Sequence, residues 1–204
     1  MKIGGLEKYS LIDYPGKVAC CIFVKGCNFR CPFCHNADLV IYENKKPEID
    51  LNFIFSFLRE RRSFIDAVVI TGGEPTIFND LPDVITDLKK EGFLVKLDTN
   101  GSKSRMIKNL IEKNLLDYIA MDIKAPFEKY NVLSGVEVDI NEIKKSIELI
   151  KYSGISYEFR TTYAKPLLDD SDLKKIKEYI GEDAVFKIND FVMSEKVISP
   201  EMFT

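Results

Sequence analysis

Apolar runs and one-sided amphipathic stretches alternate along most of the chain. Residues 18–24 form a continuous apolar run, which is typical of a strand that is buried on both faces. Asp50 comes later and can cap a helix, because apolar side chains that include Ile54 and Leu58 then recur on one helical face. The same pattern continues towards the end of the chain and predicts alternating strands and helices.

Strictly alternating segments of this kind predict a parallel sheet with right-handed crossovers. Six strand–helix units are too few for a closed eight-stranded barrel, and no dinucleotide-binding fingerprint indicates a flat Rossmann sheet. We therefore predict an α/β fold, namely a partial (β/α)6-type parallel barrel that is open on one side. The predicted strands are residues 18–24, 67–71, 93–97, 118–123, 156–163 and 184–188, and the predicted helices lie near residues 50–58, 81–88, 104–114, 140–150 and 173–180.

The length of 204 residues suits one domain with a full hydrophobic core. We expect a single domain over residues 1–204, with an N-terminal appendage (1–16), a barrel core (17–188) and a C-terminal tail (189–204). A net charge of −3 provides no general footprint for nucleic acid, and no stretch is long and apolar enough to span a membrane. The free thiols and the lack of a signal-peptide core indicate a cytoplasmic protein with neither nucleic acid nor membrane as a partner.

Three cysteines lie within eight residues, at Cys27, Cys31 and Cys34, with the spacing Cys-x3-Cys-x2-Cys. Three thiolates on one short loop can hold three irons of a [4Fe–4S] cube and leave the fourth iron without a protein ligand. A cluster that only carries electrons normally has four cysteines. An open position lets a substrate bind the metal, as it does in catalytic zinc sites. The motif therefore predicts a reactive iron–sulfur cluster.

Zinc is the main alternative for this loop. It would require the adjacent Cys34 and His35 to reach one tetrahedral ion, and the sequence has no second ligand pair. Disulfides are disfavoured because the cysteines number five and no secretion segment precedes them. Cys20 and Cys21 are neighbours on a predicted strand, so they point to opposite faces and are interpreted as ordinary buried thiols.

Each of the other polar motifs follows a predicted strand or ends one. These motifs are residues 71–75 (Thr-Gly-Gly-Glu-Pro), 98–101 (Asp-Thr-Asn-Gly) and 122–124 (Asp-Ile-Lys), together with Arg160 and Thr162 in the outer part of the fifth strand. In parallel α/β folds the carboxyl ends of the strands share one rim, where active sites lie. We therefore expect these polar groups to meet beside the cysteine loop.

Each motif also has a purely structural interpretation. Gly72 and Gly73 either make a tight turn or let a ligand approach the backbone closely, and Glu74 could accept hydrogen bonds from an ammonium group. Asp122 and Lys124 point the same way from one strand. They form either a simple ion pair or a site for a cation or a ligand carboxylate.

Taken together, the cysteine spacing and Gly-Gly-Glu-Pro resemble the radical S-adenosylmethionine superfamily. The resemblance implies that Cys27, Cys31 and Cys34 hold a [4Fe–4S] cluster with a catalytic role, and that S-adenosylmethionine is the cofactor beside it. It further implies that the cofactor is bound by Phe33, through its carbonyl, by Gly72, Gly73 and Glu74, at the amino group, and by Asp98, Lys124 and Arg160, at the ribose or carboxylate. Pyruvate formate-lyase activating enzymes add a monovalent cation, and here it would lie among Asp98, Thr99 and Asp122.

Within the superfamily, the string Cys-Pro-Phe-Cys-His-Asn is similar to that of enzymes that activate glycyl radical proteins. The opening segment, residues 4–17, most resembles the activating protein of anaerobic ribonucleoside-triphosphate reductase. Residues 13–16 read Asp-Tyr-Pro-Gly where formate-lyase activators have Asp-Gly-Pro-Gly. The resemblance implies an oxidoreductase with a glycyl radical enzyme as its partner and a low-potential electron donor such as flavodoxin or ferredoxin.

Two other functions remain open at this point. A small radical enzyme could act on a free metabolite, such as a pterin-like or deazapurine precursor, and would need no protein partner. A non-enzymatic electron-transfer or zinc-binding module would not cleave S-adenosylmethionine at all.

Overall fold

One seven-stranded sheet forms the centre of the computed structural model, which describes residues 1–41, 47–194 and 197–203. The strands follow chain order across the sheet; β1 is antiparallel to β2, and every later neighbour is parallel. The sheet is open, because β1 and β7 are its two edges. The strands are β1 (Ile3–Ser10), β2 (Ala19–Val24), β3 (Ala67–Gly72), β4 (Leu94–Thr99), β5 (Tyr118–Asp122), β6 (Ser156–Tyr163) and β7 (Phe186–Asp190).

Helices connect the parallel strands, as the sequence predicts. Asp50 accepts a hydrogen bond from the backbone N–H of Asn52, so it caps the helix at the predicted position. Asp139 and Asp169 cap two later helices in the same way. The helices are α1 (Ala37–Val40), α2 (Leu51–Glu60), α3 (Leu81–Lys90), α4 (Ser104–Glu112), α5 (Tyr130–Ser134), α6 (Ile140–Lys151) and α7 (Asp170–Ile180), and single 3₁₀ turns lie at Pro75–Ile77, Phe127–Lys129 and Pro200–Phe203.

The two faces of the sheet differ in character. On β3, Val68 and Ile70 belong to the large core that the helices cover, whereas Ala67 and Val69 point to the opposite face and pack in a smaller cluster with Tyr14. This alternation is the period of two that any strand imposes on its side chains. The inner face, as we call the face away from the helices, therefore has few apolar side chains near the carboxyl ends of the strands. Polar residues occupy that end instead.

The first segment of the chain is more than an appendage. Residues 3–10 form β1, which pairs along β2 with two register irregularities. The strand escaped prediction because its sequence, Ile-Gly-Gly-Leu-Glu-Lys-Tyr-Ser, lacks a clear alternation and has two glycines. At the other end, β7 continues to Asp190. The boundaries expected at residues 17 and 188 therefore cut through the sheet, while the predicted open parallel barrel is confirmed for β2 to β7.

The two cysteines outside the cysteine loop are buried, as predicted. Cys20 belongs to the large core and Cys21 to the smaller cluster on the inner face. Burial raises the pKa of the Cys20 thiol to about 12, and the charge of Glu7 adds to that rise. Both thiols are therefore inert packing groups. Across the described ranges, no helix combines the length and apolar character that a membrane crossing requires.

Candidate functional site

A cavity of about 350 Å³ opens at the carboxyl ends of the parallel strands. Its walls come from the loop after β2, the Gly-Gly turn after β3 and the ends of β4, β5 and β6. The predicted site residues all line this cavity. They are Cys27, Cys31, Phe33, Cys34, Gly72, Gly73, Glu74, Asp98, Thr99, Asp122, Lys124 and Arg160.

The cysteine loop is held in place by backbone hydrogen bonds rather than by regular secondary structure. Arg30 is central to this: its backbone N–H donates to the carbonyl of Ser134 at 2.7 Å. Its guanidinium donates to the carbonyls of Cys27 and Phe29 at 2.6 and 2.8 Å. Within the loop, the N–H of Cys34 donates to the carbonyl of Cys31. The Arg30 side chain, the end of α5 and the loop's own backbone thus hold the segment that presents the three thiols.

The three thiols of this loop share one electrostatic environment. Burial raises the pKa of Cys27 to about 12 and that of Cys31 to about 11, and it also raises the pKa of Cys34. The ammonium of Lys124 opposes the rise at all three positions. Thiols buried beside a cation suit the thiolate ligands of an iron–sulfur cluster, because binding the metal removes their protons.

No group of three or more histidine, cysteine, aspartate or glutamate side chains in the described part of the chain is arranged to hold a single metal ion. A [4Fe–4S] cube offers a different iron to each thiolate, so its ligands do not have to converge on one point. Three sulfur donors that line one cavity, Cys31 buried and Cys27 and Cys34 half-buried, fit such a cube.

Gly72 and Gly73 allow the chain to approach its own backbone. A Cβ atom on Gly73 would lie 2.0 Å from the carbonyl oxygen of Gly26. Gly72 has a φ of +100°, and a Cβ atom on it would lie 2.8 Å from the backbone nitrogen of Val24. The N–H groups of Gly73 and Glu74 donate to the carbonyls of Val24 and Gly26, both at 2.9 Å. The glycines thus join the end of β3 to the start of the cysteine loop.

Glu74 is buried, and neutral donors surround its carboxylate. One oxygen accepts hydrogen bonds from the backbone and hydroxyl of Thr76 and from the hydroxyl of Thr99; the other accepts one from the N–H of Asn100. Burial raises the pKa of Glu74 although these hydrogen bonds lower it. None of the described residues supplies a cationic partner, so Glu74 can still accept a hydrogen bond from an ammonium group of a ligand.

Asp98 and Asp122, in contrast, are fully engaged by cations. Arg160 bridges them: its Nη1 lies 3.2 Å from one oxygen of Asp98 and its Nε 2.9 Å from one oxygen of Asp122. The second oxygen of Asp122 receives a hydrogen bond from Lys124 Nζ at 3.0 Å. The second oxygen of Asp98 lies 3.0 Å from Lys96 Nζ in an ion contact without an aligned hydrogen bond.

These contacts determine the charges of the cluster. Burial alone would raise the pKa of Asp122, but Arg160 and Lys124 outweigh it and lower that pKa to about 2. Burial alone would lower the pKa of Lys124 and of Arg160, but the neighbouring carboxylates raise both. All three groups are therefore charged at neutral pH. Lys124 Nζ also lies 5.9 Å from the centre of the buried Phe33 ring, which faces the same cavity.

The C-terminal segment packs against the cysteine loop. The ring of His35 stacks on Phe191, with centroids 5.5 Å apart, and its Nε2 lies 2.8 Å from the carbonyl oxygen of Val192. The N–H of Ser199 donates to the carbonyl of Pro32 at 3.0 Å. His35 thus contacts the tail through its ring.

Several residues that shape the site were not among the predicted ones. Asn36 and Asn100 stand inside the recognised motifs; Asn36 Nδ2 donates to the carbonyl of Gly72, and Asn100 Nδ2 donates to Asn28 Oδ1 at 3.0 Å. Lys96 is two positions before Asp98 on β4, so strand alternation alone places both on one face. Asn189 and Asp190 also line the cavity, and no local pattern indicated them.

Solved structures confirm the fold. Streptococcus suis SuiB bound to S-adenosylmethionine is similar with a TM-score of 0.67 at 14% identity, over 86% of this chain and 41% of that one. Native anSMEcpe with bound AdoMet is similar with a TM-score of 0.62 at 17% identity, over 83% of this chain and 50% of that one. At such low identity the likeness shows the architecture alone.

Sequence comparison goes further than architecture. The sequence model of the Radical SAM superfamily matches residues 21–180 of this chain. A candidate glycyl-radical enzyme activating enzyme of Methanocaldococcus jannaschii is 34% identical over 199 residues, which cover 93% of this chain and 79% of that protein. The pyruvate formate-lyase-activating enzyme of Streptococcus mutans is 27% identical over 194 residues, which cover 87% of this chain and 71% of that protein. The chain therefore belongs to the radical SAM superfamily and, within it, to the family of glycyl-radical enzyme activating enzymes.

Proposed function

We propose that this protein cleaves S-adenosylmethionine reductively and uses the resulting radical to activate a partner enzyme. Membership of the superfamily implies an iron–sulfur cluster and S-adenosylmethionine as cofactors. The observation that carries the proposal is the content of one cavity: three thiols lie on one wall, and Glu74, a buried carboxylate with no cationic partner among the described residues, lies on another.

Cys27, Cys31 and Cys34 would hold a [4Fe–4S] cluster. When bound, the cluster supplies the electron that splits S-adenosylmethionine into methionine and a 5′-deoxyadenosyl radical. The role of the chain is to position the two cofactors and keep water and other hydrogen donors away from them. Arg30 helps to position the cluster because it fixes the backbone of the cysteine loop. Lys124 helps because its ammonium compensates the charge of the thiolates.

Glu74 would accept a hydrogen bond from the amino group of the methionine moiety, because it has hydrogen-bonding capacity left and no described residue places a cation beside it. Gly72 and Gly73 bring that part of the backbone to the same wall. Lys124 and Arg160 would face the methionine carboxylate, and Asp98 the ribose. Phe33 would contact the adenine through its carbonyl.

The hydrogen atom would come from the Cα of a backbone glycine in the partner. Its transfer to the 5′ carbon yields 5′-deoxyadenosine and leaves the unpaired electron on the glycine. The open edge between β1 and β7 supports this assignment, since a loop of another protein could enter there. We propose anaerobic ribonucleoside-triphosphate reductase as the partner, from the resemblance of residues 4–17, and a low-potential flavodoxin or ferredoxin as the donor. The same proposal places the protein in the cytoplasm, where thiols stay reduced.

The resemblance also implies a monovalent cation among Asp98, Thr99 and Asp122. The side chains do not fit that ion, because cationic side chains already engage both carboxylates and the Thr99 hydroxyl donates to Glu74. No step of the proposed reaction therefore depends on it.

The proposal is tested on protein that has been loaded with iron and sulfide in the absence of oxygen and then reduced. Release of 5′-deoxyadenosine from S-adenosylmethionine is measured for the wild type, for Cys31→Ala and for Cys20→Ala. Cys20 is a matched control, a buried thiol outside the cavity. We expect release by the wild type and the control but none by Cys31→Ala. Addition of the reductase should then give a glycyl radical signal in electron paramagnetic resonance.

A second candidate function is chemistry on a free metabolite. The 7-carboxy-7-deazaguanine synthase of Aquifex aeolicus is 34% identical over 82 residues, which cover 40% of this chain and 35% of that protein. That function predicts a modified small molecule in the absence of any partner protein. It is rejected if no candidate small molecule is modified in the absence of a partner protein, while addition of the partner gives a glycyl radical.

A further inference from the structure

Cationic side chains of the protein itself already pair with the carboxylates of Asp98 and Asp122. Each of their four oxygens has one cationic partner: Lys96 and Arg160 on Asp98, Arg160 and Lys124 on Asp122. Arg160 occupies the bridging position between the two carboxylates. A free cation that bound both would have to displace it.

Lys96 is the unexpected member of this set. It lies on β4, and its side chain is only 3% exposed. Its Nζ donates a hydrogen bond to the carbonyl of Asp13 at 2.7 Å, lies 3.0 Å from Asp98 Oδ1 and stands 5.7 Å from the centre of the Tyr118 ring. Two oxygens and an aromatic face are groups that attract any monovalent cation, and here they surround an ammonium.

The charges in the group around Asp98 and Asp122 are balanced. Glu158 lies 3.9 Å from Arg160, so three carboxylates (Asp98, Asp122 and Glu158) face the three cations Lys96, Lys124 and Arg160. A sodium or potassium ion would add a positive charge that nothing in this group compensates. Uncompensated charge in a buried site is costly.

One oxygen of Asp98, Oδ1, depends on Lys96. Its Oδ1 accepts no aligned hydrogen bond from any described residue, so the ammonium charge alone compensates that oxygen. Thr71 and Arg160 both donate hydrogen bonds to the other oxygen, Oδ2. Without Lys96, Oδ1 would face the cavity side of β4 as an unpaired anionic oxygen, which is the kind of group that binds a free cation.

We propose that the ammonium of Lys96 at Asp98, together with the bridging guanidinium of Arg160, takes the place of the monovalent cation, so that this enzyme binds S-adenosylmethionine independently of sodium and potassium. The inference rests on the proposed function, because it concerns the same cofactor site. Lys96 is a positioning residue in this scheme. It holds Asp98, and through Asp98 it holds Arg160, in the geometry that receives the cofactor.

The test compares potassium chloride with choline chloride at equal ionic strength, since choline is too large to enter the position. The dissociation constant of S-adenosylmethionine is measured on the reduced, cluster-loaded protein. For the wild type we expect the two salts to agree within about twofold. For Lys96→Met we expect binding about tenfold weaker in choline, and recovery of most of that loss in potassium. Lys96→Arg should behave like the wild type, because it keeps a cation at Asp98.

The thermal midpoint of the cluster-free protein provides a readout that does not involve the cofactor. Potassium should raise the midpoint of Lys96→Met relative to choline and leave the wild type unchanged. Lys96→Gln, which keeps a donor for the Asp13 carbonyl, replaces the methionine variant if the latter does not fold. Lys89→Met is the matched control, since Lys89 pairs with Asp117 away from the cavity, and its response should not depend on the salt.

Two results would overturn the inference. The first is a wild type that needs potassium for tight binding. The second is a Lys96→Met protein that shows no salt dependence in either measurement. Failure of the proposed function looks different: a cluster-loaded wild type would bind no S-adenosylmethionine in either salt, while the midpoints of the cluster-free variants would still decide the role of Lys96.

Discussion

Asn36 Nδ2 donates a hydrogen bond to the carbonyl oxygen of Gly72 at 3.1 Å. This contact joins the segment after the three cysteines to the paired glycines on the other side of the cavity. The two walls that would hold the cluster and the methionine moiety are therefore tied together by one side chain.

Asn36→Ala should weaken the binding of S-adenosylmethionine and leave the chemical step nearly intact. One hydrogen bond of this kind is worth about 1 kcal/mol, which corresponds to a roughly fivefold rise in KM. Asn52→Ala is the matched control, because the Asn52 amide donates a hydrogen bond to Asp50 at an exposed helix cap. Steady-state release of 5′-deoxyadenosine measures both constants. A fall in kcat at unchanged KM would contradict the role assigned to Asn36.

Gly73→Ala should destabilise the protein strongly. The new Cβ would meet the carbonyl oxygen of Gly26 at 2.0 Å, and both partners are backbone, so neither can rotate away. We expect a loss of at least about 2 kcal/mol in the free energy of unfolding, measured by urea denaturation of the cluster-free protein.

Gly154→Ala is the control for that substitution. Gly154 has a φ of +76° and open space around it, so only the backbone conformation is penalised. The cost should be about 1 kcal/mol. Equal losses at the two positions would show that the close approach at Gly73 is not what requires glycine.

Asp122 should contribute to stability in a defined pH range. Its folded-state pKa is about 2, below the ordinary value of 3.8, because Arg160 and Lys124 outweigh the effect of burial. A carboxylate whose pKa is lower in the folded protein stabilises the fold at pH values above its unfolded-state pKa. That contribution is lost as the pH falls through its folded-state pKa. The contribution of about 2 kcal/mol should therefore be complete above pH 5 and vanish between about pH 4 and pH 2.

The measurement compares unfolding of the wild type and of Asp122→Asn as a function of pH. The difference should be largest near neutral pH and should shrink towards pH 2. Asp87→Asn is the control, since the Asp87–Lys90 pair is exposed, and it should change stability by less than about 0.5 kcal/mol throughout. A difference for Asp122→Asn that stays constant down to pH 2 would rule out the titration.

Phe191→Ala should make a bound cluster more sensitive to oxygen. Phe191 stacks on His35, and the adjacent Val192 carbonyl contacts the same ring, so the tail covers the cysteine loop. Loss of that cover should accelerate the decay of cluster absorbance in air severalfold. Tyr152→Ala removes an exposed aromatic ring elsewhere and should have no effect. Identical decay of the two variants would mean that the tail does not shield the loop.

Much of the fold can be predicted from local patterns in the sequence. The apolar runs of β2 and β3 and the one-sided helices after Asp50 and Asp139 determine the alternating order, and alternation implies a parallel sheet. That order in turn brings the cysteine loop and the polar motifs to one rim, because parallel strands end at the same edge. The Cys-x3-Cys-x2-Cys and Gly-Gly-Glu-Pro motifs already indicate the radical S-adenosylmethionine superfamily.

Contacts between distant segments could not be inferred in this way. β1 pairs with β2 although its sequence shows no clear alternation, because an edge strand needs only backbone hydrogen bonds on one side. The tail meets His35 across more than 150 positions of chain. Neither contact leaves a periodic trace in the sequence.

The charge state of the site was likewise decided by packing in three dimensions. The sequence by itself places Asp98 and Asp122 at strand ends, where they could bind a cation. The folded chain brings Lys96 and Arg160 within 3.0 and 3.2 Å of Asp98. Electrostatic energy depends on distances of a few ångströms and on burial, and both are properties of the assembled sheet rather than of any one segment.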